Sequence, residues 1–236
     1  MGRAATLPRP LVSLSTCIPP LESGDRLTRI EFERRYEAMP AQKKAELIEG
    51  VVYLSSPVRL TKHAAPMFDL MIWLGLYKVS TPGTQGGDNA TVRLDLDNEP
   101  QPDVFLRLLP GLGGQSGTSS DDYVDGAPEL IVEVAASSVS IDLHDKMNAY
   151  CRNAVREYIV WRVLDGELDW FVWREARYER LGLDPSGVYK SEQFPGLWLD
   201  GPALLRGDMA RVLVVLQQGI ESPEHRCFLD RLAGAS

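Results

Sequence analysis

The stretch APELIVEVAASS, residues 127 to 138, constrains this chain more than any other. Leu130, Ile131, Val132 and Val134 make a short apolar run of the kind that forms a strand covered on both faces. Glu133 interrupts that run. A lone ionised carboxylate is too costly to bury unless it is paired and hydrogen-bonded. The fold must therefore bring a partner to Glu133 from elsewhere in the chain.

The surrounding segments show what the fold has to work with. LTRIEFERRYEAMP predicts a short helix, with Thr28 as N-cap and Pro40 as its stop. AELIEGVVYLSS predicts a tight hairpin about Glu49-Gly50. A longer helix follows between Lys62 and Lys78, with Met67, Leu70, Met71, Leu74 and Tyr77 on one face; a stripe of this kind is core packing. TPGTQGGDNA reads as a glycine-rich loop that lacks the spacing and following helix of a phosphate cradle. ATVRLDLD and QPDVFLRL are strands, and PGLGGQSGTSSDDYVDG is an exposed, mobile loop. After the opening stretch, SIDLHDKMNAYCRNA has helical spacing, with Ile141, Met147 and Tyr150 inward. REYIVWRV, ELDWFVW and RYERL are strands, FPGLWLD is a last edge strand, and Pro202 to Gln218 is a closing helix. This order of elements gives an α/β (α+β mixed) fold with a central mixed β-sheet flanked by helices. We expect a flexible leader over 1–27, one domain over 28–218 and a C-terminal tail over 219–236.

Three carboxylates sit in strand-like surroundings: Glu46 in ELIEG, Asp103 in QPDVF and Glu133 in IVEVA. If the strands of Asp103 and Glu133 pair as neighbours, their carboxylates converge on one face. Converging carboxylates repel unless a proton or a cation intervenes. Hard oxygen donors of this type suit Mg²⁺ or Mn²⁺, ions that activate water and stabilise charge on a phosphodiester. Lys146, in the helix after Glu133, is placed to hold a water or a phosphate oxygen. His63 opens the long helix. Each residue alone has an ordinary explanation as an edge acid, a solvated charge or a structural histidine, so the combination carries the reading.

Composition limits the alternatives. The formal net charge of −8 repels polyanions, so a nucleic-acid role needs a local basic face or metal ions. Cys17, Cys151 and Cys227 are scattered and odd in number, which supports neither a disulfide framework nor a zinc site and fits a reducing cytoplasm. No apolar run is long enough to span a bilayer, and Pro8 and Pro10 break up the N-terminal segment, which does not read as a secretory signal.

ELIEGVVYLSSP with His63 after it, QPDVFL, GAPELIVEVAASS with DLHDKMNAY, NAVREYIVW and FPGLWLD together resemble the Uma-two restriction endonuclease family. That family lies within the PD-(D/E)XK nuclease superfamily, and the resemblance runs from about Ile30 to Leu205. It implies a restriction-endonuclease-like core and a metal site. Asp103 takes the place of the PD aspartate, Glu133 that of the (D/E)XK glutamate, and Glu46 that of an upstream acid completing the shell. The superfamily lysine would fall at Ala135; Lys146 stands where this family relocates it. His63 and Tyr150 match accessory positions. Ala136-Ser137-Ser138 departs from the family's usual S-P-S, and Val139, Ser140 and Ile141 replace its basic residues, so fewer phosphate contacts follow.

The expected function is hydrolysis of phosphodiester bonds in DNA by a Mg²⁺- or Mn²⁺-dependent endonuclease, acting in the cytoplasm and as a possible homodimer. A nuclease-fold interaction module with weak or no activity, and an RNA-directed nuclease, are the alternatives.

Overall fold

A computed structural model describes residues 18–40 and 44–234. The first seventeen residues, most of the expected leader, lie outside the described residues. Leu21 is buried, and Gly24 N donates to Val52 O at 2.8 Å, so the later part of that segment is tied to the hairpin.

Helix α1 (Arg29–Glu37) starts after Thr28 as expected. Strands β1 (Ala45–Ile48) and β2 (Val51–Leu54) form the predicted hairpin. Glu49 and Gly50 both have positive φ, 50° and 71°, which suits a two-residue hairpin turn. Phe32, Leu47 and Val52 pack into a small core between helix and hairpin.

A π-helical turn, Leu60–Ala64, leads into α2 (Ala65–Ser80). Its buried face is Leu70, Trp73, Leu74 and Tyr77, while Met71 from the expected stripe is exposed. Trp73 wins the inward position because its indole N–H also finds the Trp198 carbonyl at 2.9 Å.

The glycine-rich segment is a strand and not a loop: β3 (Thr84–Asp88) pairs antiparallel with β5 (Val104–Leu108). A Cβ at Gly87 would come within 2.7 Å of the Phe105 ring, so glycine here admits a close neighbour at the sheet edge. Between these strands lies β4 (Val92–Arg93), which joins β6 (Gly117–Thr118) and β7 (Val124–Asp125) in a small sheet. The predicted loop over residues 110–126 is thus pinned at two places, and Arg93 secures it further through Asp121 at 2.8 Å.

Strand β8 (Leu130–Ala135) is buried along its whole length, as the apolar run predicts. After α3 (Val139–Ile141), a second π-helical turn (Asp142–Lys146) and α4 (Met147–Arg152) come β9 (Glu157–Arg162), β10 (Glu167–Arg174) and β11 (Arg177–Arg180). The central sheet has the order β11-β10-β9-β8-β5-β3, with β8 and β9 parallel and the other neighbours antiparallel.

Residues 198–200 do not extend this sheet. They form β13 (Trp198–Asp200), which pairs instead with β12 (Val188–Lys190). The closing helix is broken in two, α5 (Gly201–Leu205) and α6 (Met209–Ile220). Gly207 turns with φ 76°, and Asp208 caps the second helix by accepting from Arg211 N. The expected tail is a further helix, α7 (Pro223–Gly234), whose Phe228 and Leu232 join the main core.

The sheet therefore has two unlike faces. Val104, Leu106, Leu130, Val132, Ile159 and Trp170 pack under α2, α5, α6 and α7. Phe105, Ile131, Ala135, Tyr158 and Val160 pack under Met147 and Tyr150 of α4. Glu133 shares the second face, since strand side chains alternate.

Candidate active site

β5 places Val104 opposite Val132 of β8. The next pair in that antiparallel register is Asp103 and Glu133, so both carboxylates leave the sheet on the α4 side. Asp103 Oδ2 accepts from Val134 N at 2.8 Å, and Asp103 N lies 3.4 Å from Glu133 Oε2. The two acids are thus locked to each other's strands.

Helical residues complete the cluster. Lys146 Nζ donates to Glu133 Oε1 at 3.0 Å and pairs with Glu46 Oε1 at the same distance. It also lies 3.9 Å from Asp142 Oδ1. The Tyr150 hydroxyl donates to Glu133 Oε1 at 2.8 Å. Glu46, on the β1 hairpin, accepts from Gln101 N at 2.7 Å, which fixes the hairpin beside the entry to β5. His63 Nε2 lies 3.1 Å from Asp103 Oδ1. All six residues singled out in the sequence thus fall in one cluster.

Burial grades this cluster from floor to mouth. The side chains of Glu133, Asp142 and Lys146 are 4%, 3% and 7% exposed, whereas Asp103, Glu46 and His63 reach 14%, 17% and 23%. A ligand from solvent meets His63, Asp103 and Glu46 first. His63 and Lys146 both ride on π-helical turns, a local rewinding that re-aims side chains and recurs at functional sites.

Burial pushes the Glu133 carboxyl well above the usual carboxylate range despite Lys146, and Asp103, Asp142 and Glu46 push it the same way. Asp142 and the Tyr150 hydroxyl are raised too, again chiefly by burial. For Lys146 burial favours loss of the proton, but Glu133, Glu46 and Asp142 together outweigh it and hold the amine charged. His63 is raised above an ordinary histidine, first by its hydrogen bond with Asp103.

Four carboxylates here face one lysine and one histidine. Retained protons or a bound cation must balance that excess of acid. Among the described residues no three His, Cys, Asp or Glu side chains form a group that could hold a metal by themselves. The donor chemistry nonetheless fits a hard divalent ion such as Mg²⁺, which is often held by one or two carboxylates with water and phosphate oxygens supplying the rest. Asp103 and Glu133, paired across β5 and β8, are the two carboxylates that would hold such an ion.

Asp142 belongs to the cluster although it was not singled out in the sequence. The available signal was its position four residues before Lys146, where an acid and a base meet on one helix face. The tyrosines Tyr158, whose hydroxyl donates to Asp142 O at 3.0 Å, and Tyr53, bonded to Asp145 at 3.1 Å, support the π-helical turn from either side. They had no such signal.

Comparisons with known proteins bear on the family and the fold. No curated protein matches. A crystal structure of a putative nuclease belonging to DUF820, from Anabaena variabilis, is similar over 73% of this chain and 97% of that one. Its TM-score is 0.50 at 14% sequence identity, so the likeness is one of fold. The family model described as Uma2, putative restriction endonuclease, matches residues 31–202, which span β1 to β13 and every member of the cluster. This chain belongs to the Uma2 family.

Proposed function

We propose that this protein is a divalent-metal-dependent endonuclease that hydrolyses phosphodiester bonds in DNA. The observation that carries the reading is the pairing of Asp103 with Glu133 across β5 and β8, with Lys146 bridging Glu133 and Glu46 beneath them. A Mg²⁺ or Mn²⁺ ion held by Asp103 and Glu133 would supply Lewis acidity and a more acidic water. Glu46 assists from the hairpin.

The chain's own residues do the rest. The phosphodiester lies over the open side of the cluster, against His63 and Asp103. Lys146 stays charged in its crowd of acids, fixes the Glu133 carboxylate through Oε1 and offsets negative charge as it builds on the phosphate. Tyr150 holds the same oxygen from α4, so the glutamate has one orientation. By analogy with the superfamily, water attacks phosphorus and leaves a 5′-phosphate and a 3′-hydroxyl. Cutting both strands of a duplex calls for two such sites, so a homodimer in the cytoplasm belongs to this reading. Light scattering of a DNA-bound monomer would remove the dimer from it.

The test is cleavage of plasmid and oligonucleotide DNA with Mg²⁺ or Mn²⁺ by the wild type, Asp103→Ala and Glu133→Ala. Undiminished cutting by both variants refutes the site. A rival reading, an interaction module that keeps the fold, is favoured by the hydrogen bonds already engaging both acids. Calorimetric titration separates the two: the module takes up no Mn²⁺, whereas the nuclease binds it in a Glu133-dependent way. Competition between RNA and DNA substrates tests the third alternative.

A further inference from the structure

The protein is acidic as a whole, so it needs a local exception to hold a polyanion. Most of its arginines cannot supply one. Arg93 is spent on Glu33 and Asp121, Arg162 on Asp165 and Asp169, and Arg174 on Glu179 and Glu192. Three exposed cations at the mouth of the cluster differ. Lys44, Arg59 and Lys62 have no carboxylate within ion-pairing distance among the described residues.

Contacts through Asn89 and His63 link all three to Asp103. Lys44 Nζ donates to Asn89 Oδ1 at 2.8 Å, and Asn89 N in turn lies 3.3 Å from Asp103 O and 3.0 Å from Pro102 O. Arg59 O accepts from His63 N at 3.1 Å at the start of the π-helical turn, and Lys62 precedes His63 directly. Ser55 N donates to Lys44 O at 3.1 Å, so the segment from Ser55 to Lys62 springs from beside Lys44. Asp88 and Asp145, hydrogen-bonded to Asn89 and Tyr53, form no ion pair with these three cations among the described residues.

We infer that Lys44, Arg59 and Lys62 form a phosphate-gripping rim that seats duplex DNA across the Asp103–His63 mouth. The inference rests on the nuclease reading and adds where the backbone of the substrate is held. It supplies what Val139, Ser140 and Ile141 do not, since no cation follows Glu133 until Lys146, which is buried. Such contacts are blind to base sequence and release counterions, so they show in the salt dependence of binding.

The experiment uses the full chain and a fluorescein-labelled duplex. Anisotropy in EDTA over a series of salt concentrations gives the slope of log affinity against log salt, and Mg²⁺ assays give kcat and KM. The combined Lys44→Ala, Arg59→Ala and Lys62→Ala variant should lose about three units of slope, roughly one per phosphate contact. Its KM should rise ~10-fold or more with kcat little changed. Arg206→Ala with Arg226→Ala, two exposed cations elsewhere, should leave the slope unchanged. A wild type that cuts DNA while the rim variant keeps its full slope and KM overturns the rim and leaves the nuclease reading standing. A wild type that neither binds nor cuts with Mg²⁺ or Mn²⁺ overturns both. Binding of single-stranded RNA in preference to the duplex overturns the assignment to duplex DNA.

Discussion

Two buried glutamates stand on neighbouring parallel strands, and their surroundings could hardly differ more. Glu157 opens β9 beside Leu130 and points into the large core under α2; Glu133 lies roughly 10 Å further along β8 on the opposite face. Glu157 gathers neutral donors: Glu192 N at 2.6 Å, Gln193 N at 2.9 Å, the Ser191 hydroxyl at 2.8 Å and the Trp170 indole at 3.3 Å. Glu133 gathers ionisable groups, namely Lys146, Tyr150, Asp103, Asp142 and Glu46. A cleft of about 450 Å³ opens beside Glu157, lined by Gln115, Arg156 and Trp173 among others. Its volume does not make it the reacting site, because among the described residues no second carboxylate converges on Glu157 as Asp103 does on Glu133. The partners of Glu157 are fixed dipoles, whereas those of Glu133 are groups whose charge can change.

Breaking Glu133 and Glu157 in turn gives the largest contrast. Glu133→Gln or Asp103→Asn should lower DNA cleavage by ~10²–10³-fold, the usual cost of removing an electrostatic element from a reacting centre. Glu157→Gln should cut at the wild-type level once corrected for folded fraction. Equal losses from both glutamates would erase the distinction.

Stability should reverse the order. Glu157→Ala strands four donors, so it should cost about 3 kcal/mol or more. In a chain of this size that lowers Tm by roughly 6–12 °C. A variant that melts with the wild type would show that water replaces the carboxylate at no cost.

Proton linkage offers a narrower test. Burial raises the Glu157 pKa from 4.5 to about 7. The folded protein therefore keeps a proton that the unfolded chain releases. The associated stability is complete below about 4.5 and is lost as pH rises to about 7. The loss is about 3 kcal/mol at the usual 1.36 kcal/mol per unit. Because Glu133 is also raised, the difference between wild type and Glu157→Gln, followed by denaturant melts across that window, isolates the Glu157 share. A difference that stays flat with pH would place the Glu157 pKa at its ordinary value.

This contrast also explains what was legible in the sequence. Glu133 announced itself because an acid inside LIVEV has no local remedy, and the hairpin, α1 and β8 followed from periodicity and turn residues. Glu157 gave no such warning, since Arg156 beside it makes an exposed ion pair look sufficient and its true partners lie some 35 residues away. The same distance effect hid β3, whose glycines answer to the Phe105 ring, and the turn of Met71 toward solvent, which depends on the Trp198 carbonyl claiming Trp73. Local pattern reports which residues need burial. Which neighbour satisfies them is a property of the assembled sheet.

The smallest effect separates the two glutamates most finely. Tyr150→Phe and Ser191→Ala each delete one hydroxyl donor, at 2.8 Å from Glu133 and from Glu157 respectively. Tyr150→Phe should cost about 1 kcal/mol of stability, the net value of one hydrogen bond. Ser191→Ala should cost about twice that, because Ser191 Oγ also accepts from Phe194 N at 2.8 Å. The Tyr150 ring should stay in place, because it packs edge-on against Tyr158 with centroids 5.0 Å apart. Although Ser191→Ala is the less stable, the two variants should part the other way in catalysis. Tyr150→Phe frees the Glu133 carboxylate to rotate about Lys146 and should lower cleavage ~10-fold, as losses of orienting partners do. Ser191→Ala should leave cleavage unchanged. Equal cutting, once corrected for folded fraction, would mean that Tyr150 serves Glu133 only as Ser191 serves Glu157, as a filled hydrogen bond.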